Sequence, residues 1–190
     1  DRLIWHYNEP FADPSAIPSY YVSKLAREHV TVVLNGDGGD ENFAGYDRYI
    51  ANELAQRFER IPSFLRRRVI PRIARFFPLS TDPNGFLWRL RRFSQVLALS
   101  PELRNAHWLT HFNNEMKSEL YSSSFSERTG GMDSYDIILD KYAQAEAEDF
   151  TDRTLFADVS LYLADTLLVK MDIASMANSL EARSPFLDHE

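Results

Sequence analysis

The sequence predicts an α/β fold that is mostly helical and organised around one strand–turn–helix unit. Three observations carry this. A short β-branched apolar run, Val30-Thr31-Val32-Val33-Leu34, ends in the glycine-rich stretch Asn35-Gly36-Asp37-Gly38-Gly39-Asp40-Glu41. An amphipathic pattern with apolar residues at helical spacing follows it, and a second precedes it. A strand with helices on both sides is most simply a parallel-sheet strand buried on both faces.

Residues 1–13 read as an irregular entry ending in Glu9-Pro10-Phe11-Ala12-Asp13-Pro14-Ser15. Asp13 followed by Pro14 has the form of an N-cap with proline at the first helical position. The helix it opens is expected to run to about His29, with Ile17, Tyr20, Tyr21 and Leu25 on one stripe. After the strand at 30–35, a helix from Glu41 to about Arg60 should present Phe43, Tyr46, Ile50, Leu54 and Phe58. Pro62, Pro71, Pro78 and Pro83 then divide an arginine-rich stretch into short helical pieces, the last from Phe86 to Leu99. Ser100-Pro101 opens another helix by the same cap-plus-proline logic, and a short one is expected from Asn114 to Tyr121. Residues 122–131 (SSSFSERTGG) read as a loop. Helices follow at Asp133 to about Glu148, Thr151 to about Leu168, with a threonine cap, and Met171 to Leu180. One strand cannot form a sheet, so these residues read as the later, mostly helical part of a single α/β domain whose other strands lie upstream.

Composition narrows the class. Of 190 residues 26% are charged and 44% hydrophobic, which excludes a disordered or fibrous chain. No run of 18 apolar residues suits a membrane span, and the first residues lack a signal-peptide core. The absence of cysteine excludes disulfides, thiolate metal sites and a cysteine nucleophile within these residues and fits a cytoplasmic setting. The chain starts at Asp and stops at Asp188-His189-Glu190, which reads as part of a longer protein. Net charge is −7 but segregated, with ten arginines between Arg57 and Arg92. From Glu115 to Glu190, sixteen acidic residues face six basic ones. Arginine stems covering apolar helix surface explain the basic stretch better than a nucleic-acid surface does, given the acidic total.

The acidic turn carries the chemistry. Glycine-rich turns at helix starts hold phosphate through backbone N–H groups, yet Asp37, Asp40 and Glu41 would repel a bare phosphate. A divalent cation between them reconciles the two, because Mg²⁺ favours one or two carboxylates together with phosphate oxygens. The competing reading is a helix start in which Asp40 and Glu41 serve as cap and dipole partners. Lys170, beside Asp172 at the end of an apolar helix, is open in the same way: a phosphate-neutralising cation or a C-terminal dipole partner. Among the five histidines only His107 and His111 have an i, i+4 spacing, and with no third ligand nearby they read as packing residues.

Four stretches in order, EPFADPSAIPSYY, VVLNGDGGDENFAGYDRY, LLVKMD and SMANSLEARSPFLD, resemble the synthetase domain of the glutamine-hydrolysing asparagine synthetase family. The resemblance spans the chain, with a divergent middle from about 57 to 150. It implies an adenine nucleotide α-hydrolase-like fold of the ATP-pyrophosphatase type. It also implies ATP- and Mg²⁺-dependent adenylation of the aspartate side-chain carboxylate, releasing pyrophosphate. Ammonia from glutamine, delivered by a glutaminase domain of the same full-length chain, would then displace AMP to give asparagine. A homodimer is compatible with it.

Carried residue by residue, the resemblance implies that Gly36, Gly38, Gly39 and Tyr46 lie against ATP or the intermediate. Asp40 would bind Mg²⁺, and Asp37 would orient ammonia or accept its proton. Lys170 would neutralise phosphoryl charge, and Asp13 and Ser15 would face the substrate. Glu181, Arg183 and Asp188 read as a buried ion-pair network shaping the pocket. Asn35 stands where the family commonly has serine, and Ile173 where a basic residue is usual. Two further parts, a Ser-Gly-Gly-x-Asp-Ser phosphate loop and the glutaminase cysteine, do not occur in residues 1–190. These residues alone are therefore expected to be inactive. Two alternatives stand beside this reading: a related synthetase acting on another acid, of β-lactam-forming or polysaccharide-associated type, and a non-catalytic interaction homologue.

Overall fold

The computed structural model describes residues 2–58, 61–62, 64–69, 72 and 99–188. In chain order these form α1 (Arg2–Tyr7), α2 (Ala16–Arg27), β1 (Val32–Leu34), α3 (Gly39–Phe43), α4 (Asp47–Phe58) and a π-helical turn, Leu65–Val69. There follow α5 (Pro101–Leu109), α6 (Asn114–Leu120), α7 (Ser123–Arg128), α8 (Ser134–Gln144) and α9 (Phe150–Ala157). A π-helical segment (Asp158–Leu168), α10 (Val169–Met176), β2 (Glu181–Arg183) and a 3₁₀ turn (Pro185–Leu187) complete it. The chain groups into two compact units, one made of residues 1–45 and 147–190, the other of residues 46–146.

The first unit holds a two-stranded sheet. β1 and β2 run parallel, with Val32, Val33 and Leu34 opposite Glu181, Ala182 and Arg183. This corrects the single-strand expectation: the strand partner lies near the other end of these residues, in a stretch too short and polar to announce itself. It also corrects the reading of Glu181 and Arg183 as a buried pair. Their 2.8 Å ion pair is local, with side chains 53% and 65% exposed, so it stabilises little. Arg2–Tyr7, expected to be irregular, is helical, and its Tyr7 is buried.

A continuous helix from Phe150 to Met176 forms the spine of this unit, wound as π-helix between Asp158 and Leu168. Asp149, not Thr151, caps it, accepting from the N–H of Thr151 at 2.7 Å and of Asp152 at 3.4 Å. The expected break before Met171 is absent, so Lys170 lies inside a helix and the C-terminal dipole explanation for it falls. α10 packs against α2, α1, β2 and the π-helical segment. The buried face of α2 is Ala16, Tyr20 and Ser23, while Ile17, Tyr21 and Leu25 are exposed. Small residues at 16 and 23 let the two helices approach closely, and that contact decides the face.

The expected helix 41–60 breaks at Ala44, whose φ of 55° is left-handed, and Gly45 N–H closes α3 on the Asp40 carbonyl at 3.0 Å. In the second unit α5 packs on α4 and α8 around Tyr49, Ala55, Ala106 and Tyr142. As in α2, the buried stripe of α4 (Tyr49, Asn52, Ala55) is not the apolar one, since Ile50 and Leu54 are exposed. Side-chain caps start its helices: Ser100 before Pro101, Asn113, Ser122 and Asp133. The Ser122 cap turns much of the expected loop into α7. α8 stops at Gln144, short of the expected Glu148. The helix expected from Phe86 lies outside the described residues until Leu99. No helix among the described residues is long and apolar enough to cross a membrane.

Candidate active site

The spine helix and the start of α2 meet at Lys170. Its ammonium donates to Asp13 Oδ2 at 3.0 Å and to Ser15 Oγ at 2.8 Å. Asp13 Oδ1 in turn accepts from the Ser15 hydroxyl at 2.6 Å and the Ser15 N–H at 2.8 Å. The N-cap of α2 is Ser15, not Asp13 as expected, and Pro14 precedes the helix; the Asp13 carboxylate closes the turn before it on the Ser15 N–H, while its second oxygen reaches the lysine. Both side chains of the ion pair are largely shielded, 11% exposed for Lys170 and 17% for Asp13. Tyr7, stacked on Phe11 at 4.4 Å, donates to the Lys170 carbonyl at 3.1 Å and fixes the backbone there.

The two carboxylates near Lys170 are driven in opposite directions. Burial acts to raise the Asp13 pKa, but hydrogen bonds from Ser15 and the charge and hydrogen bond of Lys170 outweigh it and hold it below its ordinary value. For Asp37 burial dominates and pushes the carboxyl up, with Lys170 opposing and Glu41 reinforcing the rise. One carboxylate is thus a firm anion that anchors the cation, and the other is inclined to take a proton. Such divergence between neighbouring carboxyls is how acid–base roles are divided.

The acidic turn is shaped from outside by the chain after β2. Gly38 caps α3 with φ 88°, and a Cβ there would run into Leu187. The ring of Phe186 lies 3.4 Å from where a Gly39 Cβ would stand, and it meets Phe43 edge-on. Gly36 faces open space. What approaches the backbone closely at Gly38 and Gly39 is therefore this chain's own Pro185–Leu187 turn, and space for a ligand is left at Gly36. Asp40 is exposed, and its carboxylate lies over Gly45, where a Cβ would collide with Oδ1. Glu41 is 1% exposed, which removes it from a solvent-facing ligand set. Tyr46 opens the second unit, with the Arg48 guanidinium 4.0 Å above its ring.

Asp13, Ser15 and Lys170 therefore form one hydrogen-bonded cluster, and Asp37 feels the charge of Lys170. Periodicity and motif reading did not single out Tyr7 or Ser184, whose hydroxyl donates to Asn35 Oδ1 at 2.5 Å. Nothing in the local pattern of either marks it. His107 pairs through Nδ1 with the Tyr135 hydroxyl at 3.1 Å, a packing contact between α5 and α8. Among the described residues no group of three or more His, Cys, Asp or Glu is placed to hold a metal.

The match to known proteins decides the family. The Asparagine synthase family describes residues 1–190. The chain belongs to the asparagine synthase family. It is 32% identical over 192 residues to asparagine synthetase 1 (glutamine-hydrolyzing) of Bacillus subtilis, covering 98% of this chain and 28% of that protein. Against a putative glutamine-hydrolyzing asparagine synthetase of Mycobacterium bovis, identity is 32% over 189 residues, all of this chain and 27% of the relative. The amidase chyE of Penicillium rubens is 24% identical over 204 residues, 29% of its length. This asparagine synthase-family chain thus spans well under a third of these curated relatives. No solved structure matches it. The family carries an adenine nucleotide α-hydrolase fold, and the helices around a short parallel sheet are the part described.

Proposed function

We propose that these residues form part of an ATP-dependent amide ligase that activates the side-chain carboxylate of aspartate. The observation that carries it is Lys170, held by Asp13 and Ser15 at 3.0 and 2.8 Å and acting electrostatically on Asp37. In the first step a substrate carboxylate oxygen bonds to the α-phosphorus of ATP and pyrophosphate leaves. In the second, ammonia bonds to the acyl carbon and AMP leaves. Phosphoryl transfer is governed by positioning and charge stabilisation. Lys170 supplies a cation whose place is fixed before substrate arrives, so little reorganisation is needed when charge develops.

Asp37 suits the second step, because a half-buried carboxyl with a raised pKa is a better proton acceptor than an ordinary aspartate. The single exposed carboxylate of Asp40 suits Mg²⁺ that arrives with the nucleotide, since that ion needs only one or two protein carboxylates besides phosphate oxygens. Mg²⁺ there would neutralise charge on the departing pyrophosphate. Gly36 and Tyr46 are assigned to the nucleotide or intermediate, Gly38 and Gly39 lying instead against the Pro185–Leu187 turn, and glutamine is the expected source of ammonia through a glutaminase domain of the full-length chain. Residues 1–190 alone are expected to give no turnover.

The test is ATP–pyrophosphate exchange by the full-length gene product at millimolar Mg²⁺. Aspartate-dependent exchange that disappears in Asp40→Asn supports both the adenylation and the metal role. Exchange only with another carboxylic acid keeps the chemistry and replaces the substrate, an outcome that the half-buried Ile173 beside Asp172 leaves open. Folded protein that exchanges with no acid overturns the enzyme reading in favour of an interaction homologue.

A further inference from the structure

The end of β1 carries an amide that nothing in the reaction outlined above uses. Asn35 Nδ2 donates to Asp37 Oδ2 at 2.8 Å, and Asn35 Oδ1 accepts from the Ser184 hydroxyl at 2.5 Å. Its main-chain N–H donates to the Arg183 carbonyl at 2.9 Å, extending the β1–β2 pairing by one residue. Three bonds therefore fix backbone, amide oxygen and amide nitrogen. With Asp37 ionised the amide takes this orientation: turned over, Oδ1 would face a carboxylate oxygen at hydrogen-bond distance, two acceptors with no proton between them.

We infer that Asn35 is the positioning residue for Asp37, clamped by Ser184 so that its N–H fixes the Asp37 carboxylate in place and favours the ionised form. The inference rests on the assignment of Asp37 to the ammonia step, and it adds two residues to that site. The charged groups acting on Asp37 are Lys170, from the spine helix, and Glu41, from α3. Asn35 is the neutral donor that sets Asp37 between them. Ser184 sits just beyond β2, so the strand that closes the sheet also delivers the hydroxyl that locks the amide.

The decisive experiment is a pH titration of the Asp37 carboxyl carbon in full-length protein labelled with ¹³C-carboxyl aspartate. The resonance is assigned by its absence in Asp37→Asn. In Asn35→Ala the midpoint should move up, because a hydrogen bond to the charged form is lost. In Ser184→Ala, which leaves the amide unclamped and the backbone pairing intact, it should move the same way by less. Unchanged midpoints in both folded variants overturn the inference. The titration needs no turnover, so it gives its answer even where exchange and amide formation fail in the wild type. In an active wild type, the acid limb of the ammonia-dependent rate should shift with the midpoint, which loss of packing alone would not produce.

Discussion

The two units of the molecule spend their polar side chains differently. In residues 46–146, Ser100, Asn113, Ser122 and Asp133 each accept a backbone N–H from the first turn of a helix. These are local bonds that stabilise the helix they start. In the first unit, Ser15 stands at the N-cap of α2 with no capping bond, its hydroxyl taken by Asp13 and Lys170. α3 starts at Gly38, which has no side chain to cap with. The spine helix keeps a conventional cap there, at Asp149. At the start of α2 the polar side chains thus serve a long-range contact to Lys170 as well as the local turn, the mixed use expected where a site is assembled.

The contrast can be broken most strongly at Lys170. Lys170→Ala should lower pyrophosphate exchange by the full-length enzyme roughly 10²–10³-fold, the usual effect of deleting one charge-stabilising group. A change of less than threefold would reduce the lysine to a structural tether. Next comes Gly45→Ala, in which the new methyl displaces the Asp40 carboxylate. Exchange should drop roughly 10–100-fold, the cost of a small misplacement, and recover in part as Mg²⁺ is raised. Failure of added Mg²⁺ to restore any rate would detach Asp40 from the metal.

The two carboxylates near Lys170 should respond oppositely in stability. Asp13 has a folded pKa below its ordinary 3.8, so its contribution is present above that value and is lost as pH falls through the folded pKa. Asp13→Asn should therefore lower Tm at pH 7. Asp37 has a folded pKa above 3.8, so the folded state is penalised once the group is ionised. Asp37→Asn should raise Tm at pH 7, an advantage that shrinks as pH falls through the folded pKa and is gone below 3.8. Melting curves of both variants at pH 3.5 and pH 7 check the signs, and a loss of Tm in both at pH 7 would erase the distinction. The smallest effect belongs to the second unit, where Asn113→Ala removes a 3.0 Å cap to Met116. It should cost about 1 kcal/mol in denaturant melts and leave exchange unchanged.

Features that depend on neighbours in sequence are legible in it. Ser100-Pro101 and Asp133 announce their helices, the β-branched run announces β1, and Asp13-Pro14-Ser15 announces the turn into α2. Features decided by distant partners are not. β2 has only three residues and exists because Glu181–Arg183 lie along β1. The buried faces of α2 and α4 combine a tyrosine with small or polar residues and leave the aliphatic stripe exposed, because close approach to another helix outweighs that stripe. The break at Ala44 is invisible in an alanine, which usually favours helix, and reflects Asp40 folding back over Gly45. At the site, the residue types at 13, 15, 37, 40 and 170 are conspicuous in the sequence. The opposite pKa shifts of Asp13 and Asp37 come from a balance no motif encodes: hydrogen bonds and the charge of Lys170 outweigh burial at Asp13, and burial prevails at Asp37.

The tether between Lys170 and Asp13 closes across 157 residues, and this sets an order of events during synthesis. At about 5–20 residues per second, the lysine follows its partner out of the ribosome by roughly 8–30 seconds. Throughout that interval Asp13 and Ser15 lack Lys170, and β1 lacks β2. All residues of the second unit have been made before Lys170 appears. A nascent chain stalled ahead of Lys170 would carry the acidic turn and the Asp13–Ser15 turn but neither the lysine that Asp13 and Ser15 hold nor β2. The tether is therefore withheld from incomplete chains by topology.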